Sequence, residues 1–357
     1  MPREYLLTPG PVDIPGFVLQ AVAQPAMHHR TQEFARFYLG LLDGLRYYFQ
    51  TRQHVATMTG SGTYGVESAI YSLFRPGEKI LVLNNGKFSG RWADYGRLIG
   101  LQVEELRRSW GESPGVEEVI DVAELHPDLH GVVITHSETS TGAMVDLEEL
   151  VFALRRQVPD ALLVVDAITS AGAMPFYFDD WQLDCAIAAS QKALMNPAGV
   201  VCMALSERAA RHLRVTDPSD FTNFLNYLRL AEQGAYPYTP AVNLLFGVQA
   251  ALEHLQQLGL PQAWNRTHHA AKTFRKGLAA LGGKVFPQRP SESLTAFTLP
   301  VEQPDELRRK VLESSGFRLA GGQDSLKNRI LRISHMGLAD AAVMEEALAA
   351  LRSAMQA

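Results

Sequence analysis

Three stretches carry residue types that can do chemistry together. Thr59 to Ser68, TGSGTYGVES, sets Gly60, Gly62 and Gly65 between an apolar run and a helical one. Further on, LLVVD ends in Asp166, and CAIAAS is followed directly by Gln191 and Lys192. A glycine turn that opens a helix attracts anions, because the first-turn N–H groups lack internal partners and the helix dipole is positive there. Ser61 and Thr63 add hydroxyl donors to such a turn. A carboxylate closing a buried strand is costly unless it finds a partner. A lysine in the same place loses solvation, which lowers its pKa and frees the amine as a nucleophile.

The glycine spacing matches the dinucleotide fingerprint G-x-G-x-x-G, which calls for an acid closing the next strand to hold a ribose. Here that strand, KILVLNN, closes in Asn84 and Asn85, and Glu78 stands at its wrong end. The loop therefore reads as a site for a different phosphate. Each part alone has a plain alternative: a connecting turn, a capping aspartate, a lysine reaching water. Together they fit pyridoxal 5′-phosphate, which needs a phosphate cup, a lysine to form a Schiff base with its aldehyde, and a carboxylate to keep its ring nitrogen protonated. Gly60–Thr63, Lys192 and Asp166 supply the three.

The elements that must position these groups alternate. Apolar, β-rich runs at 54–59, 79–84, 101–106, 131–136, 161–166, 185–190 and 200–204 are separated by helical stretches such as 89–99 and 146–157. Strands apolar on both faces and spaced by helices predict an α/β fold: a mostly parallel seven-stranded sheet sandwiched by helices. Asp166 and Lys192 then fall beyond the carboxyl ends of strands, where open parallel sheets bind ligands. After residue 206 the pattern changes. Helical periods over 240–258 and 261–281 precede strands near 293–299, 318–320 and 330–334, with helices at 305–314 and 339–355. We expect an N-terminal extension, 1–20, packing on the small domain or on a partner subunit. A large domain would span 21–258, and a smaller C-terminal α/β domain 259–357.

The 357 residues are 46% hydrophobic and 20% charged with a net charge of -5, and no basic run suits nucleic acid. No apolar run approaches the roughly 18 residues of a membrane span. The two cysteines, Cys185 and Cys202, lie inside apolar runs and read as free thiols in a reducing compartment, so a cytoplasmic protein is expected. No H-E-x-x-H or C-x-x-C occurs, and no metal is expected. His28 and His29 are adjacent, so on a strand their side chains diverge, which suits a structural or dimer-loop role.

Nearly end to end, the sequence resembles the class V aminotransferases, pyridoxal-phosphate enzymes of the aspartate-aminotransferase superfold, and within them the alanine/serine–glyoxylate aminotransferase group. The likeness is carried by LLTPGPV (6–12), MHHRTQEF (27–34), GSGTYGVESAI (60–70), HSETSTG (136–142), VVDAITSAG, ASQKALMNPAG, YPYTPAVNLLFG (236–247) and RISHMG (332–337), with 26 residues from Asp166 to Lys192. It implies that Lys192 bonds the cofactor and shuttles the proton, and that Asp166 pairs with the pyridinium. Ser61, Gly62, Thr63 and Gln191 would line the phosphate. Phe88 would stack on the ring, and Thr139 would bond near the phenolic oxygen. The resemblance also implies a homodimer in which Tyr236 and Thr239 reach the neighbouring subunit's cofactor. Arg332 would clamp the substrate carboxylate, a task suited to a planar fork; in RILRIS it points opposite Arg329 by the strand period.

The activity this implies is transfer of the amino group of alanine or serine to a 2-oxo acid, glyoxylate foremost. Aspartate, phosphoserine or 2-aminoethylphosphonate as donor, with pyruvate or 2-oxoglutarate as acceptor, are the alternatives. A cysteine-desulfurase-like lyase would need a mobile cysteine and usually a histidine before the lysine, where this chain has Gln191. A non-catalytic cofactor-binding or regulatory protein would have no need of the complete Lys192, Asp166, glycine-loop and Arg332 set.

Overall fold

The structure, a computed structural model, describes residues 4–217 and 219–356. Its main sheet is built from β1 (His54–Thr59), β2 (Lys79–Asn84), β3 (Gln102–Arg107), β4 (Leu129–Thr135), β5 (Leu162–Asp166), β6 (Cys185–Ala189) and β7 (Val200–Leu205). The strands lie in the order β1-β7-β6-β5-β4-β2-β3, and β7 alone runs antiparallel, to both its neighbours. The expected seven-stranded, mostly parallel sheet is therefore found, with edges displaced by at most two residues. Central strands such as β5 are buried along their whole length, as two helical layers require.

Local sequence explains the helices that frame the site. Gln32–Phe49 starts at Thr31, whose hydroxyl accepts from the Phe34 N–H at 3.2 Å. Gly62–Leu73 starts at Ser61, whose hydroxyl accepts from the Tyr64 N–H. That helix lies so close to the sheet that a Cβ on Gly65 would come within 2.6 Å of Val201 Cγ1 on β7 and 2.9 Å of Ile187 Cγ2 on β6. A Cβ on Gly62 would meet Ile168 Cδ1 at 2.8 Å. The glycine spacing thus records close helix–strand packing and a cavity wall.

A second apolar cluster, with Phe274, Phe297, Ile333 and Met344 at its centre, sits under a small antiparallel sheet. Its strands are β8 (Lys284–Val285), β9 (Leu294–Thr298), β10 (Ala320–Gly321) and β11 (Leu331–Ser334), in the order β8-β9-β11-β10. Since β11 begins at Leu331, Arg329 lies in the turn before it, and the strand period does not relate Arg329 to Arg332. Helices Val242–Leu258 and Leu260–Ala280 meet at Gly259, whose φ of 84° suits glycine. Near the N-terminus, Tyr5–Leu6 pairs in parallel with Phe317–Arg318, and the Leu7 carbonyl accepts from the Ser334 N–H at 2.8 Å. From there the chain runs to the carboxyl end of β6, where the Val12 N–H donates to the Gln191 carbonyl at 3.2 Å.

Candidate active site

The carboxyl ends of β1, β2, β4, β5 and β6 all open onto one cavity of about 200 Å³. Eight residues expected at the site line it: Ser61, Gly62, Thr63, Phe88, Thr139, Asp166, Gln191 and Lys192. They arrive from five different strand ends and meet because the parallel strands share one direction.

Burial sets the electrostatics. Lys192 is 8% exposed. Desolvation pulls its amine down to about 8; the charge of Asp166 opposes this shift and that of Arg332 reinforces it. Its Nζ donates to the Pro9 carbonyl, and the space a Cβ on Gly10 would need is filled by this side chain. Desolvation likewise pushes Asp166 up to about 6. The Ile168 N–H bonded to its Oδ1 at 3.0 Å works against that rise, Glu138 adds to it, and Lys192 restrains it. At pH 7 roughly a tenth of the amine is therefore unprotonated, far more than for an ordinary lysine, and the acid is mostly ionised.

Ser61, Gly62 and Thr63, at the N-terminus of helix Gly62–Leu73, line one part of the cavity, an arrangement suited to an anion. The Gln191 side-chain oxygen is buried and meets no donor within the protein; only the N–H groups of this amide could serve an anion. Donors at one end, a carboxylate and an amine at the other, and a ring-sized gap beside Phe88 form a donor set that fits pyridoxal 5′-phosphate.

Phe88 is held by its backbone. Glu138, fully buried, accepts from the N–H groups of Phe88 (3.1 Å) and Ser89 (2.8 Å) at the start of helix Lys87–Leu98, and its other oxygen accepts from Ser140 Oγ at 2.6 Å. The adjoining Thr139 hydroxyl donates to Thr169 Oγ1 at 3.3 Å. Arg332 stands behind this loop. Its Nη1 donates to the Thr139 carbonyl at 2.8 Å, while Nε and Nη2 both donate to the Gly321 carbonyl, at 3.0 and 2.8 Å. Burial lowers its pKa to about 10, the Glu138 charge working against that, so it stays cationic at neutral pH.

Tyr236 is 1% exposed and packs edge-on against Tyr38, Tyr227 and Tyr238 of its own subunit. His28 and His29 lie in an irregular loop, with rings 5.2 Å apart and tilted by 32°. Thr239 is exposed, outside the cavity, on a wider open groove that it shares with both histidines. Sequence reading also missed Arg91, which lines the cavity one helical turn beyond Phe88.

Cys185 and Cys202 are free and buried in β6 and β7, and desolvation pushes both thiols up, Cys202 to about 12. A thiol held protonated inside a sheet is no mobile nucleophile, which counts against the desulfurase-like alternative. Among the described residues no group of three His, Cys, Asp or Glu is placed to hold a metal, and no helix is long and apolar enough to cross a membrane.

Comparison with known proteins places the same residues in context. The sequence model of the family described as "Aminotransferase class-V" matches residues 16–342. The L-aspartate–glyoxylate aminotransferase of Paracoccus denitrificans is 32% identical over 340 residues, which cover 93% of this chain and 86% of the relative. The serine–glyoxylate aminotransferase of Hyphomicrobium methylovorum is 30% identical over 367 residues, covering 99% and 89%. Among solved structures, an aspartate aminotransferase of subgroup IV from Thermus thermophilus superposes with a TM-score of 0.92 at 33% identity, covering 99% of both chains.

Proposed function

Because the chain belongs to the class V aminotransferases, we propose that it holds pyridoxal 5′-phosphate on Lys192 and moves the amino group of alanine or serine to glyoxylate. The observation that carries this reading is the convergence of a buried amine with a lowered pKa, a buried carboxylate and a hydroxyl-lined cup on one cavity. Ser61, Gly62, Thr63 and Gln191 would bind the phosphate, Phe88 would cover one face of the ring, and Asp166 would face the ring nitrogen. When bound, the cofactor supplies an electron sink that makes the α-proton of an attached amino acid acidic. Lys192 then acts as the base that takes this proton and the acid that returns it, a role suited to an amine titrating near 8. Arg332 orients the amino acid by its carboxylate, and the 2-oxo acid leaves by hydrolysis.

Aspartate is the second donor to weigh, because two of the similar proteins carry aspartate in their names. A screen of amino acids against glyoxylate, pyruvate and 2-oxoglutarate, with quantified products, separates the readings. We expect alanine or serine with glyoxylate to give the highest kcat/KM. A higher value with aspartate replaces the donor, and failure of glyoxylate removes the acceptor while leaving the family standing.

We further propose a domain boundary at 258/259, supported by the two separate apolar cores, and a cytoplasmic homodimer. The dimer is supported by the exposed Thr239 on its open groove. Equilibrium sedimentation at micromolar concentration is expected to give twice the chain mass. The mass of a single chain refutes the dimer.

A further inference from the structure

The established family roles leave one charged cavity residue without a task. Arg91 sits on helix Lys87–Leu98 and lines the cavity together with Ser61, Thr63 and Phe88. Its Nη1 donates to Thr63 Oγ1 at 3.0 Å, and its guanidinium carbon lies 5.0 Å from the centroid of the Phe88 ring. Thr63 is the second residue of helix Gly62–Leu73, so Arg91 is braced on the phosphate cup itself. Among the described residues Arg91 pairs with no carboxylate; its partners are this hydroxyl and this ring.

Charge decides what such a group is for. The other cationic side chain lining the cavity, Lys192, is pulled toward its neutral form. A helix N-terminus offers only about half an elementary charge, whereas a phosphate monoester carries nearly two negative charges at neutral pH. The cup therefore needs a fixed cation, and an arginine meets that need because it stays charged and presents several N–H donors. The hydrogen bond to Thr63 has a second effect. A hydroxyl has one donor and two acceptor positions. When Oγ1 accepts from Arg91, its own proton is left to point at the anion.

We infer that Arg91 is a phosphate-binding residue of this site, supplying the permanent positive charge of the cup and orienting the Thr63 hydroxyl toward the anion. The guanidinium groups thus divide the labour. Arg91, braced on Thr63, serves the phosphate end; Arg332, braced on Thr139, serves the substrate carboxylate.

This inference rests on the proposed pyridoxal-phosphate reading, and a comparison of two ligands separates the two. The full-length chain, stripped of cofactor, is titrated with pyridoxal 5′-phosphate and with pyridoxal, which lacks the phosphate. Wild type is expected to prefer the phosphorylated form strongly, and inorganic phosphate to compete. Arg91→Gln is expected to weaken pyridoxal 5′-phosphate by roughly 10- to 100-fold, the worth of one or two charge-assisted hydrogen bonds, while leaving pyridoxal unchanged. Arg91→Lys is expected to recover part of the difference, since it keeps the charge and loses the fork. If Arg91→Gln leaves the ratio of the two affinities as in wild type, whether both are unchanged or both fall together, Arg91 is a packing residue and the inference is overturned. An unchanged ratio with a raised KM for the amino donor overturns it in favour of a substrate role. A wild-type chain with no preference for the phosphorylated ligand removes the cofactor reading and the inference with it.

Discussion

Lys192→Ala is expected to lower kcat by at least about 10³-fold, because it removes both the covalent anchor and the proton-transfer group. The purified variant should also lack the visible absorbance of the covalently held cofactor and should yield no cofactor-labelled peptide after borohydride reduction. The structure says how to tell this from unfolding. Lys192 is buried with a pKa pulled down from 10.5 to about 8, so the folded chain binds that proton less tightly than the unfolded chain does. The cofactor-free wild type should therefore gain stability as pH rises from about 8 to about 10.5, the window in which the unfolded state still holds the proton. Lys192→Ala lacks this gain, so the wild-type melting temperature minus that of the variant should become more positive between pH 8 and 10.5. A variant that keeps its colour, or turns over at the wild-type rate, ends the assignment of Lys192.

How much of this was legible in the sequence differs from element to element. The seven strands of the main sheet were, because a strand apolar on both faces has few other places to go; β5, LLVVD, is the plainest case. Asp166 and Lys192 were legible as a pair once the strands were in place, since chain direction puts both at the same end of a parallel sheet. The glycine triplet was legible as an anion turn. The reason for its third member, the close approach of Gly65 to Val201 and Ile187, is a tertiary contact that no local pattern carries.

Tyr236 and Arg91 show where legibility stops. In YPYTP the two tyrosines sit in irregular backbone with no period to say which one points inward, and the decision falls to an aromatic cluster assembled from residues 38, 227 and 238. Arg91 was hidden by a helix boundary. A helix read as starting at Ser89 leaves Phe88 outside it. The actual start at Lys87, fixed by Glu138 accepting from the Phe88 and Ser89 N–H groups, puts Phe88 and Arg91 one turn apart on the same face. The residue that sets the boundary lies 50 positions away in the chain.

Arg332→Lys is expected to lower kcat/KM for amino acid donors by roughly 10²- to 10³-fold, about 3 to 4 kcal/mol of transition-state binding, with cofactor affinity unchanged. A guanidinium has five N–H donors. Three are engaged with the Gly321 and Thr139 carbonyls, which fixes the plane of the fork and leaves the remaining N–H groups for a carboxylate. A lysine can keep the charge and one carbonyl bond, but it cannot hold the backbone and present a second flat edge together. The loss should therefore follow the carboxylate. Wild type should favour alanine over alaninamide by a wide margin, and the variant should lose most of that margin while its turnover of alaninamide changes little. An arginine that served only to tie Gly321 to Thr139 would lower both substrates alike when replaced. Equal losses for alanine and alaninamide would therefore show that Arg332 supports the loop rather than the substrate.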